Sequence, residues 1–184
     1  MRIFNVLKFV VLLAVFTATG AGAAEITNGG FEDGFTDWRQ FAGGGASANH
    51  TIVNDAYSGS NAASLEVTDI SEGDAGLDRY SSEIPVSPGD AIEIRFAAKK
   101  ISSPSARVEM TVVDKDENHN FFGTQDKYFF RPVEGSYTEY SVTEFIIPQE
   151  TAYLNIAFRI VDDFGLKTEG HYYIDSVNLS DSEL

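Results

Sequence analysis

The chain of 184 residues contains no cysteine, so it holds no disulfide, no thiol nucleophile and no Cys-ligated metal. Helical periodicity is missing too: beyond the first residues, no long segment repeats apolar side chains at i, i+3 and i+4. Tryptophan occurs once, at Trp38, and histidine three times, at His50, His119 and His171. None of the histidines falls in a recognisable catalytic motif, and there is no G-x-S-x-G, H-E-x-x-H or phosphate loop. Basic residues are scarce, 13 against 28 acidic, for a net charge of −15. A field of that sign repels phosphate backbones and anionic membranes, which argues against nucleic acid as a partner and favours solubility and divalent cations. The only continuous apolar run, from Phe9 to Phe16, is too short to span a bilayer.

That run belongs to a recognisable leader. Arg2 and Lys8 precede or open it, and small residues ending in Ala21-Gly22-Ala23 follow, which is the pattern of a secretory signal peptide over residues 1–23. The expectation is an exported protein, extracellular or periplasmic, with residues 24–184 forming a single domain. A chain of that size buries roughly two-thirds of its unfolded surface in one core.

The remainder reads as all-β: short alternating runs punctuated by Gly, Pro, Asn, Asp and Ser. In AIEIRFAAKK, Ile92, Ile94, Phe96 and Ala98 share one face; in RVEMTVVD, Val108, Met110 and Val112 do; in YLNIAFRIVD, Leu154, Ile156, Phe158 and Ile160 do. Further strands are expected at 50–54, 63–68, 77–84, 128–131, 138–147 and 171–179. The alternation in YSVTEFIIP slips by one before Phe145, which predicts a bulge. VSPGD predicts a type II turn with Pro88 and Gly89 at its corners. Nine or ten short strands at this spacing make a two-sheet β-sandwich.

Two stretches at opposite ends of the domain stand out. ITNGGFEDG sets Glu32 beside Phe31, and HYYIDSVNLS places Asp175 in an otherwise apolar last strand. A buried carboxylate needs a partner, and two acidic groups brought together call for a cation with oxygen ligands, Ca²⁺ being the natural choice. The stretch Asp114 to Asn120 has oxygens at alternate positions but lacks the glycine and the closing Glu of an EF-hand, so it reads as a solvated hairpin tip.

The order N-G-x-F-E-x-G (Asn28, Gly29, Phe31, Glu32, Gly34), then Trp38, then A-Y-S-G-S (Ala56 to Ser60), S-P-G-D and Y-Y-I-D-S-V-N-L resembles the secreted carbohydrate-binding modules of the family 4, 9 and 22 type. The resemblance covers nearly all of the chain after the leader. It implies a galactose-binding-like jelly roll, a structural calcium at one edge, and a site for a polysaccharide or oligosaccharide that is bound without being cleaved. The calcium would take side-chain oxygens from Glu32 and Asp175, and backbone carbonyls near Gly30 and around Ser58, Ser60 and Asn61.

For the glycan, an aromatic platform with planar polar side chains is the expected chemistry. Arg95, Glu109 and Arg159 lie on the outward faces of the three clearest strands and could stand side by side. Arg79 and Tyr80, with Tyr57, Phe121, Phe122 and Tyr128, could supply stacking surface, and Trp38 could add a contact. Three arginines together would suit uronic or sulfated sugars. The alternatives are a jelly-roll polysaccharide lyase or glycoside hydrolase, or an adhesive module with a protein partner. Glu109 among arginines would favour its ionised form, the wrong state for a general acid. The sequence gives no oligomeric state.

Overall fold

The computed structural model describes residues 25–70, 72–80, 82–102 and 106–182, and the side chains at 122–124, the stacking candidate Phe122 among them, lie outside the described ones. The expected leader, residues 1–23, lies outside the described residues. Eleven strands are formed: β1 Arg39–Gly43, β2 Ser47–Val53, β3 Ala62–Asp69, β4 Asp74–Asp78, β5 Ile84–Pro85, β6 Ala91–Ser102, β7 Arg107–Lys115, β8 Phe121–Phe130, β9 Thr138–Ile146, β10 Tyr153–Val161 and β11 Gly170–Asp181. They pair antiparallel into a six-stranded sheet, ordered β1-β4-β10-β7-β8 with β5 beside β10, and a five-stranded sheet, ordered β2-β3-β11-β6-β9.

The alternating residues meet between the sheets. Ile92, Ile94, Phe96 and Ala98 from β6 pack against Val108, Met110 and Val112 from β7 and Leu154, Ile156, Phe158 and Ile160 from β10, all buried. Phe96 and Phe158 sit 5.0 Å apart, ring centre to ring centre, and join the two layers. At about 25 cal/mol per Å² of apolar surface removed from water, this layer is the main stabilising term of the fold.

The irregularities follow the sequence closely. Between Ile92 and Ile94 the β6–β9 register shifts, and Glu144 in the extra stretch takes a φ of 56°, the bulge that restores the β9 alternation. Asp90 donates its amide to Ser87 at 3.2 Å while Gly89 adopts a φ of 86°, as the type II turn requires. In β11 the register breaks between Asp175 and Asn178, with Ser176 at a φ of 51°.

Residues around Phe31 form turns, because Asn28 and Phe31 both have positive φ and Phe31 donates its amide to the Asn28 carbonyl. Two readings of the sequence need correction. The expected strand over 77–84 is two strands, β4 and β5, separated by a turn in which Ser82 donates to the Arg79 carbonyl at 2.9 Å. β1 was not expected at all: RQFAG is an edge strand exposed along most of its length, so it carries no apolar alternation.

Candidate glycan-binding trough

The outward-pointing residues of the six-stranded sheet fall into rows across its strands. One row runs Phe41–Gly76–Arg159–Glu109–Phe129 and the next Arg39–Asp78–Ala157–Thr111–Lys127, by direct pairing. Beyond them lie Asn155, Val113 and Gln125, then Tyr153 and Lys115. The middle of these rows is made of small residues, Gly76, Ala157 and Thr111. Gly76 is required: a Cβ there would stand 2.2 Å from the Phe158 carbonyl oxygen and 2.8 Å from Cζ of Phe41.

Although they point away from the core, Asp78, Glu109, Thr111, Lys115 and Asn155 are buried, each at 5% exposure or less. They are covered by longer neighbours, Asp78 by Arg39, Glu109 by Lys127 and Lys115 by Tyr80, which stand up around a concavity. The concavity is a trough of about 300 Å³ lined by Arg39, Asp78, Tyr80, Lys115, His119, Phe121 and others. Tyr80 and Phe121 keep 54% and 53% of their surface, so each can present a ring to a ligand.

Every cation in the trough has a carboxylate in contact. Arg39 donates to both oxygens of Asp78, at 3.0 and 2.5 Å. Arg159 Nε donates to Asp74 at 3.0 Å, and its Nη1 lies 3.9 Å from Glu109. Glu109 also accepts from Thr111 Oγ1 at 2.9 Å and Lys127 Nζ at 3.3 Å. Lys115 pairs with Glu83, whose other oxygen meets His119 Nδ1 at 2.5 Å. Burial opposes ionisation of Glu83, but Lys115 and His119 outweigh it and hold the carboxyl below its ordinary range.

The cations also clasp rings. Arg39 lies 4.5 Å from the centre of the Tyr80 ring and Lys115 4.2 Å, while Phe41 sits between Arg39 and Arg159 at 5.6 and 5.4 Å. His119 stacks on Tyr153 at 4.4 Å. These contacts hold the aromatic rim in fixed orientations before any ligand arrives.

Of the residues singled out in the sequence, the trough brings together Tyr80, Glu109, Arg159 and Phe121. Arg95 is not beside them: it lies on β6 of the opposite sheet, exposed, paired with Glu93 at 2.7 Å. Trp38 is buried, with Nε1 donating to the Asn28 carbonyl at 3.0 Å and its ring 5.1 Å from Phe31. Arg79 is buried as well; it donates to the Thr27 carbonyl at 2.8 Å and lies 5.2 Å from the Trp38 ring, fastening residues 27–38 to the sheet. Burial pushes its guanidinium pKa down from the ordinary value. Tyr128 is half-buried and turned inward against the core. Tyr57 stands on the far side, by Tyr137. Sequence reasoning missed Arg39, Phe41, Asp78, Lys115 and Asn155; a signal for Asp78 was its alternation with Tyr80 on one strand line.

Glu32 and Asp175 are brought to one loop, residues 57–61. Asp175 accepts amide hydrogens from Tyr57 at 2.7 Å, Ser58 at 2.9 Å and Ser176 at 2.6 Å. Glu32 accepts from Ser60 at 2.8 Å and Asn61 at 3.1 Å. The loop thus turns amides, where the sequence suggested carbonyls, toward the two carboxylates. Gly59 is pressed against Glu32, at a φ of 71° that L side chains rarely adopt. Asp175 has no exposed surface, and burial first, with Glu32 adding to it, pushes its pKa up. Among the described residues no three His, Asp or Glu side chains gather as a metal cluster.

A family model described as a carbohydrate binding domain matches residues 23–163. No curated protein matches the chain significantly. Solved structures do. The enzymatically active domain of tailspike protein 4 from bacteriophage CBA120 aligns over 86% of this chain with a TM-score of 0.69 and 18% identity, and the chain spans only 21% of that protein's length. The CBM22-1 xylan-binding domain of Paenibacillus barcinonensis Xyn10C aligns over 84% of this chain and 92% of its own, with a TM-score of 0.60 and 16% identity. The family 11 carbohydrate-binding module from Clostridium thermocellum, solved with a β-1,3-1,4-mixed-linked tetrasaccharide, covers 88% and 96%, with a TM-score of 0.60 and 18% identity. At such identities the likeness is one of fold, a jelly-roll sandwich.

Proposed function

The chain belongs to the carbohydrate binding domain family, and from that premise we propose that it binds a polysaccharide, without cleaving it, in the trough on the outer face of the six-stranded sheet. One observation carries this reading: outward-pointing polar side chains are buried in a concavity flanked by two exposed rings, Tyr80 and Phe121. Rings that stack on the apolar faces of sugars, beside fixed donors and acceptors for hydroxyls, are the chemistry of glycan recognition.

The ligand is neutral. Arg39, Lys115, Lys127 and Arg159 already have carboxylate partners, so a uronate or sulfate entering the trough would have to displace one. The same pairing argues against cleavage, because a general acid must be protonated, whereas Asp74, Asp78, Glu83 and Glu109 are each held in an ion pair. Relatives in fold include a domain named as xylan-binding and a module solved with a β-1,3-1,4-mixed-linked tetrasaccharide. Titration calorimetry with xylan, mixed-linked β-glucan and alginate oligosaccharides tests this. Binding of a neutral chain with no new reducing ends is expected. Binding of alginate alone, or release of reducing ends, overturns it.

A structural calcium is part of the proposal. Two carboxylates of like charge, one wholly buried, converge on one loop and neither is ion-paired among the described residues. Glu32 and Asp175 would hold the ion through their carboxylate oxygens, and the ion would neutralise the pair; because residues 57–61 turn amides toward these carboxylates, the carbonyls of Ser58, Ser60 and Asn61 are not part of the proposed donor set. Chelator should lower the melting temperature of the wild type, and Asp175→Asn should abolish that response. A melting temperature indifferent to chelator and to added calcium would remove the ion from the account. Export by the leader is likewise proposed, and is checked by N-terminal sequencing of the secreted protein.

A further inference from the structure

The opposite face of the sandwich also has a recess. On the five-stranded sheet, two adjoining concavities of about 620 and 420 Å³ share Glu66 and His171, the larger one reaching over the β2 edge to Ala48, His50 and Gln40 of β1. Direct pairing builds their floor from two rows, Thr51–Ser64–Tyr173 and Asn49–Glu66–His171, contributed by β2, β3 and β11. Ser64 points away from the core yet keeps only 4% of its surface.

The side chains there are ordered by one another. Ser64 Oγ and His171 Nε2 are 2.8 Å apart, and Asn49 Nδ2 donates to Glu66 at 3.0 Å. The Tyr173 ring forms one wall, edge-on to His171 at 5.4 Å, and is held from behind by Lys99, whose Nζ lies 5.0 Å from its centre. Lys99 is itself buried and paired with Asp55. Among the described residues, no lysine or arginine lines either concavity, and the acidic side chains that do are Glu66 and Glu169. Burial pushes the pKa of His171 down, whereas the His50 imidazole turns the other way, its Nε2 2.9 Å from the Gly76 carbonyl oxygen of β4.

Hydroxyl, amide and imidazole groups around one tyrosine wall, with no cation, suit an uncharged polyhydroxylated ligand and repel an anionic one. We infer that this recess is a second carbohydrate site, for a terminal sugar or short segment of a neutral glycan, on the side of the sandwich opposite the trough. The inference rests on the reading of the chain as a carbohydrate binder but uses none of the trough residues. Two sites facing opposite ways let one domain engage two polysaccharide chains or two segments of one, with the gain in retention that multivalency brings.

Titrating the ¹⁵N-labelled domain with xylotriose and cellotriose, and following each amide by NMR, tests this. Two groups of saturating shifts are expected: one around Tyr80, Phe121 and Asn155, the other around Ser64, His171 and Tyr173, each with its own dissociation constant. Tyr173→Ala should abolish the second group and leave the dissociation constant of the first within about twofold, and His171→Gln should weaken the second group if Tyr173→Ala loses its dispersed spectrum. Saturation of the first group with no response in the second overturns the inference alone. Response of the second group only upholds it and removes the trough reading, and silence from both removes both.

Discussion

The outer faces of the two sheets are built from the same alternation and end up as different surfaces. On the six-stranded sheet, five polar or charged residues that point outward are buried, and their charges are matched pair by pair across neighbouring strands. On the five-stranded sheet the outward row at β6 is split: Arg95 stands in solvent with Glu93, while Lys99 is sealed beneath Tyr137 and Tyr173. Period-2 alternation decides which way a side chain points. The longer side chains that stand beside it decide whether that direction leads to water or into a trough, and those neighbours are a property of the assembled strands.

Substitutions can sharpen or break this contrast. The largest effect is expected at Gly76, under the trough, where a methyl group would collide with the Phe158 carbonyl and the Phe41 ring. Gly76→Ala should cost about 2–3 kcal/mol and lower the melting temperature by roughly 5–10 °C, with loss of glycan affinity. Tyr80→Ala removes an exposed platform without disturbing the core; affinity for the neutral glycan should fall at least about tenfold, equivalent to about 1.4 kcal/mol, while the melting temperature stays within about 2 °C.

Between the faces lies Asp114, turned inward, with Oδ1 lacking a hydrogen-bond partner among the described residues. Burial first, then Asp126, pushes its pKa up to about 6. A raised carboxyl pKa means the folded state binds its proton more tightly than the unfolded state, so this contribution is present at acid pH and lost as pH rises through 6. Asp114→Asn should therefore be more stable than wild type at pH 8 by on the order of 2 kcal/mol, with the difference gone near pH 4, as read from urea unfolding. His50 and His171 work in the opposite direction: with folded pKa values pushed down, they cost stability as pH falls below about 6.5. Comparing variant with wild type at each pH cancels their part. The smallest effect is expected at Arg95 on the outer face of β6, where Arg95→Ala should leave the dissociation constant within about twofold and the melting temperature within about 1 °C.

The inward faces of β6, β7 and β10 were legible because Ile92, Met110 and Ile156 stand at regular alternate positions. The bulge in β9 was legible from the slip in the same pattern before Phe145. The convergence of Glu32 and Asp175 on one loop was legible from the family-like spacing, whereas the direction in which that loop turns its amides was not, since it depends on local φ and ψ at residues 57–61. Most of the trough was hidden for two physical reasons. β1 carries Arg39 and Phe41 on an edge strand with no buried stripe, and Asp78, Lys115 and Asn155 have the polarity of solvent-facing residues although they are buried. Arg79 and Trp38 misled in the other direction: both carry groups suited to sugar contact but satisfy them internally, through Thr27 and Asn28.

A crystal of the domain soaked with a neutral β-linked tetrasaccharide above its dissociation constant bears most directly on the central claim. The account predicts sugar rings lying in the trough between Tyr80 and Phe121, with hydroxyls bonded to groups such as Asp78, Gln125 and Asn155. A trough left filled with water while the sugar is bound elsewhere on the chain would contradict it.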